Sequence, residues 1–198
     1  MRALLTDIWE ALNPFIFHWV PEKAVNIGGQ SLLWDARCAG IYIGIGVGLL
    51  WHGVIAPTSS LLPSRSVRRL IWAMLLPMVL DLLSIIASLR EPSNNVRLAT
   101  GIVFGGAFIA LVYPALASLC VRQGRDVSAF GGMTSLVSFE AVSGVPVVLI
   151  WTDATSAFYI VQALAFIGFA GLLVIFGLTF GVAARRSPRA FQRRIGVR

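Results

Sequence analysis

The chain has 198 residues, of which 57% are hydrophobic and only 13% are charged. A soluble domain carries about 25% charged residues, so this composition excludes an ordinary soluble domain and indicates a membrane protein. The net charge of +7 does not point to a nucleic-acid partner, because six of the basic residues are concentrated in the last fourteen. A basic tail next to a membrane segment instead favours contact with anionic lipid headgroups. Its arginines are Arg185, Arg186, Arg189, Arg193, Arg194 and Arg198.

The N-terminal segment, residues 1–37, mixes acidic, aromatic and proline residues without a long apolar run. It also has no small-residue cleavage site, so we do not expect a signal peptide. Its stretch DIWEALNPFIFHWV predicts a short helix lying in the membrane interface, with several aromatic rings at headgroup depth. These rings are Trp9, Phe15, Phe17 and Trp19. A buried sixth span is the poorer alternative, because the run is short and is broken by Asn13-Pro14.

Five long apolar runs follow, and each approaches the roughly 20 residues that a membrane-spanning helix needs. They cover about residues 38–56, 70–89, 98–121, 133–151 and 157–182. Inside a bilayer each run must be helical, because no water is available to pair with backbone amides. The sequence therefore predicts an all-α polytopic bundle of about five transmembrane helices. Its parts are the interfacial segment 1–37, the transmembrane domain 38–183 and the basic cytoplasmic tail 184–198.

Basic residues predict the orientation, since they accumulate on the cytoplasmic side. The loop between spans one and two holds three, the loop between spans three and four holds two, and the tail holds six, whereas the opposite side has five. We therefore expect a multi-pass protein of the cell (inner, cytoplasmic) membrane with its N-terminus outside and its C-terminus inside. The basic residues of the two loops are Arg65, Arg68, Arg69, Arg122 and Arg125.

Glycines recur at four-residue spacing in the first span, at Gly40, Gly44 and Gly48. Such spacing lets two helix backbones approach closely. The partner helix is either another helix of this chain or a second protein, and the spacing alone leaves both open.

Two acidic residues, Asp81 and Glu140, lie inside the second and fourth spans. A charge at bilayer depth is costly, so each should face the bundle interior with a partner. Counted from the span ends, both fall near the middle of the membrane, where they could form a proton site or a cation site. Alternatively, each bonds a neighbouring helix. Pro77 predicts a kink near Ala73, because its ring clashes with the carbonyl four residues earlier.

A dense polar stretch, LREPSNNVRLATG, separates the second and third spans. Pro92 should end one helix, and Ser93 or Asn94 can cap the next. Arg90 and Arg97 would then bracket a positive, amide-rich concavity suited to phosphate or carboxylate. Alternatively, these arginines hold Asp81, Glu91 or Asp35. The candidate ligand site comprises Arg37, Asp81, Arg90, Ser93, Asn94, Arg97 and Thr100.

The sequence gives little indication of a bound metal or cofactor. Cys38, His18 and Asp35 are ligands of mixed type without the spacing of a metal site, so no metal is expected. His52, inside the first span, could ligate a haem or a chlorophyll-type pigment, although such a histidine more often bonds a neighbouring helix. No nucleotide, protease or kinase motif is present. We assign no cofactor and do not expect an enzyme.

Residues 18–110 resemble the membrane family called domain of unknown function 2085. Its pattern Cys-Ala-Arg-Cys-Thr-Gly-Ile-Tyr is matched at Arg37, Cys38, Gly40, Ile41 and Tyr42. Its later blocks are matched at Pro77, Met78, Asp81, Arg90, Ser93 or Asn94, Arg97, Thr100 and Gly101. Asp35 replaces the first cysteine, and only His18 remains of a Cys-His-Gln motif. The resemblance implies that any shared property rests on the Asp/Arg/Asn block, and it supplies no activity.

The sequence thus favours a membrane protein that binds, or moves, a small anionic or amphiphilic ligand near the outer leaflet. In this hypothesis the arginines hold the anionic head and Asp81 exchanges a proton. The alternative is a non-catalytic accessory subunit that packs against other membrane subunits of a larger complex. No nucleic-acid partner is expected.

Overall fold

The computed structural model describes residues 21–55, 59–120, 125–128 and 130–194. The α-helices of that part are α1 (Ala36–Val54), α2 (Arg65–Ala73), α3 (Leu76–Ile86), α4 (Asn94–Cys120), α5 (Met133–Trp151) and α6 (Thr155–Arg194). Helices α2 and α3 together form the second span. Five segments in the described residues are long and apolar enough to cross a membrane, which confirms the predicted five-span helical bundle. The expected interfacial helix around Trp9 and Phe15 lies outside the described residues.

Short strands accompany the helices, and the sequence analysis did not foresee them. Strands β1 (Ala24–Ile27) and β2 (Gln30–Asp35) form an antiparallel hairpin, and β3 (Ser59–Leu61) pairs in parallel with β4 (Arg125–Ser128). The hairpin turn consists of Gly28 and Gly29, which both have positive φ angles, +56° and +74°. A two-residue hairpin turn of this kind strongly favours glycine, because L side chains clash at positive φ.

The hairpin docks on α6 through its backbone and one large ring. The amide of Gly28 donates to Asp153 Oδ1 at 2.6 Å, and the amide of Leu33 donates to Gln162 Oε1 at 3.4 Å. Trp34 is fully buried, and the centroids of its ring and the ring of Phe166 are 4.9 Å apart. The hairpin therefore belongs to the core of the bundle.

Helix α1 lies at the centre of the bundle, packed closely on α4 and α6. Its Gly40 faces Gly101 of α4, and Gly44 faces Ile102 and Gly106, one turn further along both helices. Because a later residue of α1 contacts a later residue of α4, the two helices run in the same direction. Gly46 approaches Gly168 of α6 in the same close way. The glycine spacing of the first span thus serves packing within the chain.

The second span is broken where Pro77 predicted a kink. Helix α2 ends at Ala73 and α3 begins at Leu76, because the ring of Pro77 removes a donor and excludes the carbonyl of Ala73. This span sits at the edge of the bundle. Of the most apolar 18-residue stretch of this span, only 11% is buried inside the protein, against 56% for α1. Its main helix neighbour is α4.

The two ends of the bundle differ in what they carry. The hairpin end contains the hairpin, the first residues of α1, α4 and α6, and the connections 87–93 and 152–154. The tail end contains the last residues of α1, the first residues of α2, the β3–β4 pair and the extension of α6. These names are used below for the two sides of the membrane.

Substituting Gly44 by alanine should separate α1 from α4. The added Cβ would overlap the backbone carbonyl oxygen of Ile102, which cannot move without moving its helix. We expect a loss of about 2 kcal/mol or more in unfolding free energy, measured by denaturant titration in detergent. Gly53→Ala is the matched control, since its Cβ would enter open space and alanine is the better helix former. Equal stability of the two variants would contradict the packing described.

Candidate functional site

Asp81 is the buried centre of an ion-pair cluster at the hairpin end. Its side chain is 1% exposed. Arg37, in the first turn of α1, donates from Nη2 to Asp81 Oδ2 at 2.5 Å, and Arg90, just beyond α3, pairs through Nη2 with Asp81 Oδ1. Both carboxylate oxygens therefore have a guanidinium partner. We call Arg37, Asp81 and Arg90 the arginine clamp.

Ser84 extends the clamp by one turn of α3. Its hydroxyl donates to the backbone carbonyl of Asp81 at 2.8 Å and accepts from Arg90 Nε at 3.1 Å. Arg90 also donates from Nη1 to the carbonyl of Glu91 at 3.1 Å. The guanidinium of Arg90 is thus held at three points, which fixes the chain where it leaves α3.

The clamp carries a net charge of +1 and is closed around Asp81. A carboxylate that exchanges protons with a ligand needs an accessible oxygen, whereas both oxygens of Asp81 face arginines. The arrangement therefore fits an ion-pair anchor better than a proton-exchanging group. This geometry matches the alternative in which Arg90 holds Asp81, and it adds Arg37 as a second partner.

A separate, open pocket of about 470 Å³ lies beside the clamp at the hairpin end. Lys23 and Glu22 come from the short 3₁₀ turn that precedes the hairpin, and Arg97 comes from the first turn of α4. We call this cavity the hairpin-end pocket. Its lining residues are Glu22, Lys23, Pro92, Ser93, Asn94, Asn95 and Arg97.

Asn94 joins the two walls of this pocket. Its side-chain nitrogen donates to the backbone carbonyls of Glu22 and Ala24, at 3.1 and 3.3 Å. Its side-chain oxygen accepts from Arg97 Nη1 at 3.3 Å. One residue at the start of α4 thereby positions both the strand that follows Lys23 and the guanidinium of Arg97.

The residues of the candidate ligand site thus divide into two groups and one outlier. Ser93, Asn94 and Arg97 line the hairpin-end pocket, whereas Arg37, Asp81 and Arg90 form the clamp. The outlier is Thr100, whose hydroxyl donates to the carbonyls of Val96 and Arg97 within its own helix. Arg90 and Arg97 therefore do not bracket one concavity, since Arg90 belongs to the clamp.

Lys23 and Asn95 are lining residues that the sequence analysis missed. Lys23 reaches the pocket because the hairpin brings the start of the described chain back to α4. The Gly28-Gly29 dipeptide between two short apolar runs was the available signal for this hairpin. Asn95 could have been included with Asn94, since both open the same helix.

Glu140 lies in the opposite half of the bundle from Asp81. Asp81 pairs with the first turn of α1, whereas Phe139, next to Glu140, packs its ring 5.6 Å from Trp51 near the last turn of α1. Asp81 therefore lies nearer the hairpin end and Glu140 nearer the tail end, which does not favour a proton or cation site shared by the two. Within the part of the chain described, the buried Glu140 Oε1 has no hydrogen-bond partner.

His52 is fully buried near the tail end of α1. Its ring stacks on Tyr113 with centroids 4.3 Å apart and meets the ring of Phe130 edge-on at 5.8 Å. The packed rings leave no exposed surface on His52 for a planar macrocycle, so this arrangement does not suit pigment or haem ligation.

Asp35, where the family pattern has a cysteine, caps α1. Its carboxylate accepts from the backbone amide of Cys38 at 2.7 Å, which satisfies one of the unpaired amides at the start of the helix. Asp35 therefore has a structural role at this position. Among the residues described, no group of three or more metal-binding side chains comes together.

Comparison with known proteins adds the family. A family model described as a predicted membrane protein (DUF2085) matches residues 17–111. An uncharacterized protein of Methanocaldococcus jannaschii is 31% identical over 117 residues, which cover 57% of this chain and 71% of that protein.

The chain belongs to the DUF2085 family. No solved structure matches it. The matched range contains the hairpin, the arginine clamp and the hairpin-end pocket, whereas α5 and α6 lie outside it. With five candidate spans, this DUF2085 member is a multi-pass membrane protein.

Replacing Asp81 by asparagine should loosen the second span. Two guanidinium groups would lose their shared counter-charge, and breaking a buried pair costs about 3–5 kcal/mol. Because Arg37 and Arg90 keep 21% and 31% of their side chains exposed, we expect the lower end, about 3 kcal/mol. Thermal unfolding in detergent measures the change. The control is Glu91→Gln, which removes an exposed carboxylate close to the clamp, and a similar loss in both variants would argue against the clamp.

Proposed function

We propose that this protein binds a small anion, or the anionic headgroup of an amphiphile, in the hairpin-end pocket. The observation that carries the proposal is the placement of Lys23 and Arg97 in one open cavity at the start of α4. A helix start adds unpaired backbone amides and the positive end of the helix dipole. Cations and amides directed at one space are the usual recognition elements for phosphate and carboxylate groups.

The charge inside the pocket supports an anion rather than a cation. Lys23 and Arg97 contribute two positive charges, and Glu22 contributes one negative charge. The backbone carbonyls of Glu22 and Ala24, which could have coordinated a cation, already accept from Asn94. The net charge of +1 is then reinforced by the start of the 27-residue helix α4.

Binding is favoured over passage through the bundle. A proton-coupled route would need an acid that is free to titrate next to the ligand, and Asp81 has both oxygens paired with arginines. The charge rule for loops places the hairpin end outside the cell membrane. In this proposal the protein presents its pocket to ligands of the outer leaflet or of the medium outside.

The alternative function is an accessory subunit of a larger complex. The glycine spacing of the first span, which left a second protein open as the partner, does not support it, because Gly40, Gly44 and Gly46 pack against α4 and α6 of the same chain. The exposed second span still favours it, with Leu80 and Leu83 62% and 53% exposed. In a membrane, lipid can cover such a surface as well as a protein can.

Native mass spectrometry of the gently extracted full chain tests the proposal, with dihexanoyl phosphatidic acid and inorganic phosphate as probes. A charge-assisted hydrogen bond contributes about 1.5–3 kcal/mol, so Arg97→Gln should weaken binding of the phosphate group at least about tenfold. Lys23→Gln should weaken it as well, and this variant leaves the Arg97–Asn94 contact intact. Binding of the short-chain lipid but not of free phosphate would assign the pocket to an amphiphile.

Glu91→Gln is the matched control, because it changes an exposed charged residue at the hairpin end that does not line the pocket. It should bind the probes at least as tightly as the unchanged protein does. The proposal fails if neither probe binds the unchanged chain, or if Lys23→Gln and Arg97→Gln bind as tightly as Glu91→Gln. Stoichiometric partner proteins without any bound probe would favour the subunit alternative.

A further inference from the structure

The tail end of the bundle carries a second concentration of positive charge, away from the hairpin-end pocket. The tail-end connections, residues 55–64, 121–132 and 182–198, together with the first turns of α2 hold eleven arginines. They hold one acidic residue, Asp126, and the chain contains no acid between Ala154 and Arg198. Charge of a single sign at one membrane face produces a field that attracts anionic lipids.

Helix α2 places three of these arginines at one end of an amphipathic surface. Its Val67 and Ile71 are buried, whereas Arg65 and Arg69 are exposed and Arg68 is half-buried. Within the part of the chain that the structure describes, none of the three has an acidic partner in an ion pair. Their charges are therefore not neutralised by the described protein.

An exposed tryptophan locates these arginines relative to the membrane. Trp72 is 58% exposed and follows Arg68 by about one helical turn on α2. Tryptophan concentrates at the boundary between headgroups and acyl chains. With its ring at that boundary, the three arginines before it fall at the depth of lipid phosphates.

From these observations we propose that the tail-end arginine surface, formed by Arg65, Arg68 and Arg69 of α2, binds phosphate groups of anionic phospholipids. Arginine suits this role because its planar fork can donate two hydrogen bonds to one phosphate. The surface holds the tail end of the peripheral second span at the membrane face, while the clamp holds its hairpin end. The inference is independent of the hairpin-end pocket, which lies on the other side of the membrane.

The test uses the full chain, reconstituted in nanodiscs of equal parts dioleoyl phosphatidylglycerol and dioleoyl phosphatidylcholine. After mild extraction, native mass spectrometry counts the lipids that remain bound. Each basic residue near a charged membrane contributes about 1 kcal/mol, so phosphatidylglycerol should be enriched roughly tenfold or more. Replacing the three arginines by glutamine should remove most of this enrichment, and replacing them by lysine should keep most of it.

Two controls keep the outcome interpretable. The glutamine substitutions on α2 should lower the enrichment as much in a chain that also carries Lys23→Gln and Arg97→Gln, which separates this surface from the proposed ligand pocket. If the glutamine variant does not insert or fold, the unchanged protein in 50 and 500 mM NaCl decides, because salt should weaken an electrostatic preference. Equal retention of the two lipids by the unchanged protein would overturn the proposal. An enrichment that survives the glutamine substitutions or high salt would overturn it as well.

Discussion

The pairing of Asp81 with Arg37 and Arg90 is the interaction on which the second span depends. That span lies at the edge of the bundle, is broken at Pro77 and has α4 as its main helix neighbour. A buried carboxylate without partners would cost several kcal/mol, so Asp81 can occupy its place only with guanidinium groups on both oxygens. The same requirement fixes the start of α1 and the loop after α3, since each provides one of those groups.

The clamp also determines which charges remain for a ligand. Arg37 and Arg90 are committed to Asp81, so the hairpin end retains Lys23 and Arg97 in an open pocket. Asn94 connects the pocket to the fold, because it bonds the chain next to the hairpin and the guanidinium of Arg97 together. Arg90 and Arg97 are thus close in sequence, but Arg90 is paired with Asp81 in the clamp, whereas Arg97 lines the open pocket. A loss of binding in a variant can be assigned to the pocket only if the clamp is intact.

The features that could be predicted from the sequence depend on residues that are close together in the chain. Apolar length predicted the five spans, and Pro77 predicted the break because a proline acts on the carbonyl four residues before it. The hairpin was missed because its strands have four and six residues and owe their stability to α6, distant in sequence. Asp81 and Glu140 were assigned a common depth from counting along their spans. The packing of Phe139 on Trp51 separates them, and sequence spacing carries no information on such a contact.

The match to the DUF2085 family model covers one part of the structure. The matched residues 17–111 hold the clamp, the hairpin-end pocket and the arginines of α2, but neither Glu140 nor the arginines of α6. Within that range the clamp fixes the hairpin end of the second span, and Asp35 caps the start of α1 through the amide of Cys38. The α2 arginines lie at the other end of the same span, so the two ends of this peripheral helix pair are anchored by different partners: side chains of the protein at one end and, in our proposal, lipid phosphates at the other.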